Sequence, residues 1–235
     1  PEAYELITGK TGEPFLGVLI SYPAITATVP DRKVEFPSST APAGNLHLGV
    51  LGAGNYAQAV FLPIVKKTGQ ADLVGISTAS GLSATHAAKK FGFRFASSSE
   101  DDILKSDAIN LVLILTRHQQ HACQTITALR EGKSVYCEKP LALNEQELQD
   151  IEKQLLLKDS PLLTVGFNRR FAPLAVQLSK FFTNRAEPMA VNYRVNAGYV
   201  PLNHWLHDPL QGGGRIIGEG CHFIDFITFM TVSLP

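Results

Sequence analysis

Along the middle of the chain, apolar residues gather in short continuous runs, at residues 46–51, 72–77, 111–116, 134–137 and 162–166. A continuous run of strand length, rather than an alternating one, marks a strand covered on both faces. Between the runs lie stretches with helical spacing, at residues 56–68, 83–91, 118–131 and 144–157. Gly92, Gly132 and the segment 159–161 stand where those helices should end, and residues 99–102 open a further short helix. Strands alternating with helices predict right-handed βαβ units and a doubly wound parallel α/β sheet.

The pattern changes at both ends. In residues 189–199, Val191, Tyr193, Val195 and Ala197 alternate with Asn192, Arg194, Asn196 and Gly198. Period 2 with one polar face predicts an antiparallel strand with a solvent-facing or ligand-facing side. The rest of this region holds a Gly-rich turn, Gly212 to Gly214, and an apolar helix starting near Gly220. Residues 166–235 are therefore expected to begin an α+β domain with an antiparallel sheet, incomplete where the chain stops. At the other end, six of the fourteen prolines fall within the first 42 residues, and residues 24–45 show neither period. That stretch reads as an extended linker. Before it, residues 2–8 look helical, Gly9 and Gly12 break the helix, and residues 15–22 form a strand-like run. So small a pair cannot bury its own apolar faces and reads as the tail of a preceding domain. The expected division is 1–45, 46–165 and 166–235.

Charge and cysteine content narrow the class. Twenty-one basic residues balance 21 acidic ones, which argues against nucleic acid or an anionic membrane as partner, since both want a basic face. The longest strongly apolar run, residues 111–115, is far below the roughly 18 residues of a membrane span. No basic-then-apolar stretch opens the sequence. Cys123, Cys137 and Cys221 are odd in number and widely separated, which suits a reducing compartment. The expectation is a cytoplasmic globular protein, assembled as a homo-oligomer through the second-domain sheet.

Candidate chemistry begins with Gly52-Ala53-Gly54-Asn55-Tyr56-Ala57, a G-x-G-x-x-A between the first strand and the first helix. The first glycine allows the tight turn and the second lets the backbone approach a pyrophosphate. The small third residue lets helix and strand pack closely. The helix N-terminus then offers N–H groups to the phosphates. The second strand should end in an acid if it reads the ribose of NAD. Here it ends in Ser77, Thr78, Ala79 and Ser80, whose hydroxyls suit a 2′-phosphate, so NADP is favoured over NAD. Tyr136-Cys137-Glu138-Lys139-Pro140 lies at the end of another strand, where open α/β sheets bind ligands. Lys139 is either a donor to a substrate carbonyl or hydroxyl, or a solvated lysine paired with Glu138. Asn168 and Arg169 either contact a ligand or cap a strand end, and Trp205 sits on a loop that either caps a substrate or lies idle on the surface. His118 with His121, and His204 with His207, have a metal-like spacing but no third ligand nearby, and no metal is expected.

Taken in order, G-x-G-x-x-A, the E-K-P at Glu138–Pro140, Gly166-Phe167-Asn168-Arg169-Arg170, and the stretch from Gly212 through Glu219 and His222 to Asp225 strongly resemble the Gfo/Idh/MocA oxidoreductases. The resemblance runs from about residue 46 to the end. It implies a Rossmann domain followed by an α/β domain with a large, mostly antiparallel sheet. It also implies NAD or NADP as cofactor and a sugar-, cyclitol- or polyol-like small-molecule substrate. By it, Lys139 and His222 are the active-site lysine and histidine. Thr116, Arg117, His118 and His121 fall in the loop lining the nicotinamide side; Ser77, Thr78, Glu138 and Lys139 complete the expected cofactor-binding group. Two departures stand out. Where the family often has D-x-G-x-H, the Asp position is Gly218 with Glu219 one residue on, and its T-P loop reads Thr116-Arg117. The family also contains non-catalytic nicotinamide-sensing regulators, which is the alternative function. The first 23 residues are similar to the last helix and strand of medium-chain alcohol dehydrogenase-like domains, which implies a bi-domain fusion.

Overall fold

A computed structural model describes residues 2–14, 17–19, 32–37, 46–185 and 187–231. The chain divides into two units, Pro1–Asp31 and Arg32–Pro235. The first contains helix α1 (Glu2–Ile7), closed by Thr8 Oγ1 donating to Tyr4 O at 2.6 Å. Of the strand expected at 15–22, residues 17–19 carry no strand and the others lie outside the described residues.

The second unit is built on a seven-stranded sheet. Its strands are β1 (Lys33–Glu35), β2 (Leu46–Leu51), β3 (Ala71–Ser77), β4 (Phe95–Ser97), β5 (Leu111–Ile114), β6 (Ser134–Cys137) and β7 (Leu163–Val165), in the order β1-β4-β3-β2-β5-β6-β7. From β4 to β7 every pairing is parallel, and β1 adds the one antiparallel pair at the edge. This is a Rossmann-type α/β fold. The continuous apolar runs are explained by burial on both sides. Val50, Ile76 and Leu113 face α2 (Leu62–Thr68) and α3 (Gly81–Phe91) through Leu62, Ala84, Ala88 and Phe91. Leu51, Val74, Val112, Ile114 and Val135 face α4 (Asp101–Leu104) and α5 (His118–Arg130) through Ile103, Leu104, Ala128 and Leu129. The chain winds outward through β2, β3 and β4, then returns to start β5 on the other side of β2. That reversal opens a crevice at the carboxyl ends of β2 and β5.

Helix α6 (Glu145–Leu155) follows β6, and its start explains itself: Asn144 accepts from Glu147 N at 3.0 Å while Glu147 Oε2 accepts from Leu143 N at 2.7 Å. This reciprocal pair is a capping box. After β7 come α7 (Pro173–Phe181) and α8 (Cys221–Thr231).

Two expectations need correction and one element was missed. The stretch read as a linker contributes β1, whose Lys33, Val34 and Glu35 pair with Ser97, Ala96 and Phe95. Strand β4 itself was not anticipated. Residues 189–199, expected as an antiparallel strand, form no ladder among the described residues. Their alternation is expressed differently. Tyr193 packs its ring against Phe223 and Phe226 of α8, with centroids 5.8 and 5.2 Å away.

Candidate functional site

Gly52 occupies the end of β2 with φ of 95° and donates its N–H to Ser77 O at 2.8 Å. A Cβ there would stand 2.5 Å from Leu115 O and 2.7 Å from Leu115 C, so the β5–α5 loop presses directly on the turn. Gly54 is the opposite case: a Cβ would meet no protein atom within 4 Å. Ala57 is 1% exposed and packs in the core between helix and sheet. The helix continues through a π-turn, Ala57–Phe61, whose closing bond runs from Leu62 N to Ala57 O. Pro63 explains the widening, because it lacks an N–H and its ring crowds the preceding turn.

These residues border a cleft of about 930 Å³ over the sheet crevice. Gly52, Gly54, Asn55, Tyr56, Ala57, Ser77, Thr78, Thr116 and Arg117, all expected on sequence grounds, line it. Arg117 is the single Lys or Arg among the lining residues. Ser98, Glu100, Gln124 and Trp205 line it as well. Glu100 and Gln124 belong to a polar chain along its wall. Thr116 Oγ1 donates to Gln124 Oε1 at 2.7 Å, and Gln124 Nε2 donates to Glu100 Oε2 at 2.7 Å. The signal for Ser98 and Glu100 was the end of β4, a strand too short to announce itself.

The donor set and shape fit a dinucleotide. The open space at Gly54 admits a phosphate against the backbone, the helix start directs N–H groups toward it, and Arg117 supplies a cation. Trp205 closes the Arg117 end of the cleft. Its ring meets His118 edge-on at 4.9 Å, Arg117 lies over it at 5.3 Å, and Arg117 Nη1 donates to Gln211 Oε1 at 3.1 Å.

His118 and His121 do not line the cleft as expected; both are buried behind it. His118 Nδ1 lies 2.9 Å from Gly212 O. His121 lies between two carbonyls, Nδ1 2.7 Å from Pro140 O and Nε2 3.2 Å from Thr116 O, and a neutral ring donates to one of them. Both rings are pushed toward the neutral form, first by burial, His118 down to about 4. They pin the loops that border the site. Of the other histidine pair, His204 Nδ1 accepts from Leu206 N at 3.3 Å and His207 Nε2 lies 3.3 Å from Val200 O.

At the end of β6, Lys139 Nζ donates to Gly218 O at 2.7 Å. Gly218 belongs to a second π-turn, Ile216–Gly220, that leads directly into His222 at the start of α8. Lysine and histidine are thereby brought together from positions far apart in the chain. His222 is 9% exposed, its Nδ1 is buried without a partner, and the Phe167 ring stands edge-on 6.1 Å away. Burial above all, then the charges of Lys139 and Arg169, push it down to about 4, against an upward pull from Asp225. Glu138 does not point into the cleft. Its Oε1 accepts from Tyr136 Oη at 3.0 Å, and burial raises its carboxyl. Burial together with Glu138 raises the Tyr136 hydroxyl in turn.

The missing acid at Gly218 has a steric counterpart. A Cβ there would lie 2.6 Å from Leu206 Cδ1 and 3.2 Å from His118 Cε1. Leu206 and His118 fill the space an aspartate would need. Glu219 cannot substitute, because its Oε2 accepts from Arg215 Nε at 2.6 Å.

The family model GFO_IDH_MocA, an oxidoreductase family with an NAD-binding Rossmann fold, matches residues 46–167. The chain is 27% identical over 194 residues to 1,5-anhydro-D-fructose reductase of Ensifer adhaerens, covering 80% of the chain and 57% of the reductase. It is 33% identical over 130 residues to inositol 2-dehydrogenase of Corynebacterium glutamicum, covering 55% of the chain and 38% of that enzyme. Among solved structures, levoglucosan dehydrogenase in complex with NADH and levoglucosan superposes with a TM-score of 0.66 at 25% identity, covering 79% of the chain and 54% of that structure. The chain thus spans little more than half the length of the reductase and of the levoglucosan enzyme.

Proposed function

Because the chain belongs to the Gfo/Idh/MocA oxidoreductases, we propose that it serves an NAD(P)-dependent dehydrogenase or reductase acting on the CH–OH or C=O carbon of a sugar-, cyclitol- or polyol-like substrate. The observation that carries this reading is the bond from Lys139 to Gly218 in the turn that leads into His222. When bound, a nicotinamide dinucleotide supplies the hydride acceptor or donor. Gly52, Gly54, Asn55, Tyr56 and Ala57 would hold its pyrophosphate, with Arg117 and Thr116 flanking, and Ser77 and Thr78 would take the adenosine ribose. No carboxylate closes β3, and the one that lines the cleft, Glu100, is held by Gln124. NADP is accordingly favoured over NAD.

Lys139 donates a hydrogen bond to the reacting oxygen and favours its alkoxide character. His222, neutral in the free site and with Nδ1 unpartnered, takes the hydroxyl proton in oxidation and returns it in reduction. Glu138 and His121 act at one remove. Glu138 accepts from the Tyr136 hydroxyl at the end of β6, and His121 lies against the Pro140 and Thr116 carbonyls at the two loop ends. Residues 166–235 form part of the substrate side, and the first residues belong to a preceding alcohol dehydrogenase-like domain. A cytoplasmic homo-oligomer completes the proposal.

The second reading, a non-catalytic nicotinamide sensor, is favoured by one observation: Leu206 and His118 occupy the place of the acid at Gly218. Reduced-nicotinamide absorbance, followed with a panel of polyols and their ketones, separates the two. Turnover that falls at least about a hundredfold in Lys139→Ala supports the enzyme. Turnover retained in that variant removes Lys139 from the chemistry, and tight dinucleotide binding without turnover selects the sensor.

A further inference from the structure

Carboxylates around His222 are already committed. Glu138 accepts from the Tyr136 hydroxyl at 3.0 Å, Glu219 accepts from Arg215 at 2.6 Å, and Asp225 is paired with Arg170. The cations are not equally matched. Lys139 Nζ is bonded to the Gly218 carbonyl, and the Arg169 guanidinium lies over the Phe223 ring at 4.8 Å. Among the described residues neither forms an ion pair. The position from which an acid would balance them is Gly218, where Leu206 and His118 leave no room for one. Within the field of both cations, His222 keeps a buried nitrogen with no partner. An excess of positive charge and an unsatisfied buried polar atom meet at one place: the charge calls for an anionic ligand group and the nitrogen for a hydrogen-bond partner on the same ligand.

We propose that the substrate taken here carries a carboxylate on its polyol chain, so that it is a sugar acid rather than a neutral sugar, with Arg169 as the residue that recognises the carboxylate. The proposal rests on the oxidoreductase reading above. Its chemistry is specific. The planar guanidinium matches a carboxylate with two parallel N–H···O bonds, leaving Lys139 and His222 for the carbinol oxygen. Arg169 is exposed and needs no large displacement of its backbone to turn from the Phe223 face toward a ligand. A negative charge beside His222 also moves the ring back toward its ordinary range, making it a better proton acceptor when substrate is present.

The test compares matched probes, D-gluconate against D-glucitol and D-glucuronate against D-glucose, on the chain loaded with oxidised NADP or NAD as the hydride acceptor. Binding is read by calorimetry, turnover by nicotinamide absorbance, and the His222 ring by its proton resonance across pH. The acids are expected to bind at least about tenfold more tightly than their neutral partners. Arg169→Ala should reduce that ratio to near one, and Arg169→Lys should retain part of it, with near-UV circular dichroism confirming the fold of both. The acid probes, and not the neutral ones, should raise the pH at which His222 titrates. Neutral probes turned over as well as acids, or an acid preference that survives in Arg169→Ala, overturn this proposal and leave the oxidoreductase reading standing. Dinucleotide binding with no transfer to or from either series overturns both.

Discussion

The two glycines of the phosphate turn should respond to the same substitution in opposite ways. Gly52→Ala places a methyl group 2.5 Å from a backbone carbonyl of the β5–α5 loop at a φ of 95°. No side-chain rotation relieves a contact with backbone. The left-handed conformation costs about 1–2 kcal/mol for an L-residue, and overpacking adds about 1–3 kcal/mol. The variant should lose about 2–5 kcal/mol, a large share of the stability of a typical domain. Gly54→Ala meets nothing within 4 Å, and its φ is outside the left-handed range. It should leave stability within about 1 kcal/mol of the parent, on the stabilising side if the unfolded chain loses freedom. Its methyl group stands where the pyrophosphate approaches, so dinucleotide affinity should fall about tenfold or more. Urea unfolding followed through Trp205, the single tryptophan, measures the first quantity and calorimetric titration with NADH and NADPH the second. The reasoning fails if Gly52→Ala unfolds at the parent midpoint. It fails equally if Gly54→Ala binds dinucleotide as tightly as the parent.

Two further outcomes follow from buried charge. His118 and His222 are held near 4 against an ordinary 6.5, so between those values the unfolded chain binds protons that the native state refuses. Stability should therefore rise from about pH 4 to about 6.5 and level off above, by up to about 3 kcal/mol per ring. Urea midpoints at a series of pH values check this, and a flat profile through the window contradicts it. Lys133 is 5% exposed and donates to Ser106 O at 2.7 Å and Ile109 O at 2.9 Å, just ahead of β6. Lys133→Met should cost about 2 kcal/mol of stability with dinucleotide affinity unaffected. Equal losses in both would show that this end of the sheet reaches the site.

The core of the sheet was legible because burial on two faces leaves continuous apolar runs, and β2, β3, β5, β6 and β7 all carry one. Strands β1 and β4 were not, since three residues make no period and β1 sits between Pro30 and Pro37. The misread strand at residues 189–199 teaches the converse. Its alternation is real, but a strand is a property of a pair, and the described residues hold no partner for it. Site residues divide in the same way. Gly52, Gly54 and Lys139 are set by local backbone chemistry and sequence order. Ser98 and Glu100 reach the cleft only through the placement of β4 beside β3, which no local pattern records. The burial of His118 and His121 depends on the 204–212 loop and on Pro140, segments far from them in the chain.

Trp205 lines the cleft and offers the most direct test of the claim that this cleft holds a nicotinamide dinucleotide. Titrating NADPH and NADH while exciting the tryptophan should give saturable quenching of its emission, with sensitised nicotinamide fluorescence appearing in step and NADPH saturating at the lower concentration. An emission unchanged by either nucleotide up to millimolar concentration, in a protein whose urea transition shows it folded, would contradict the account.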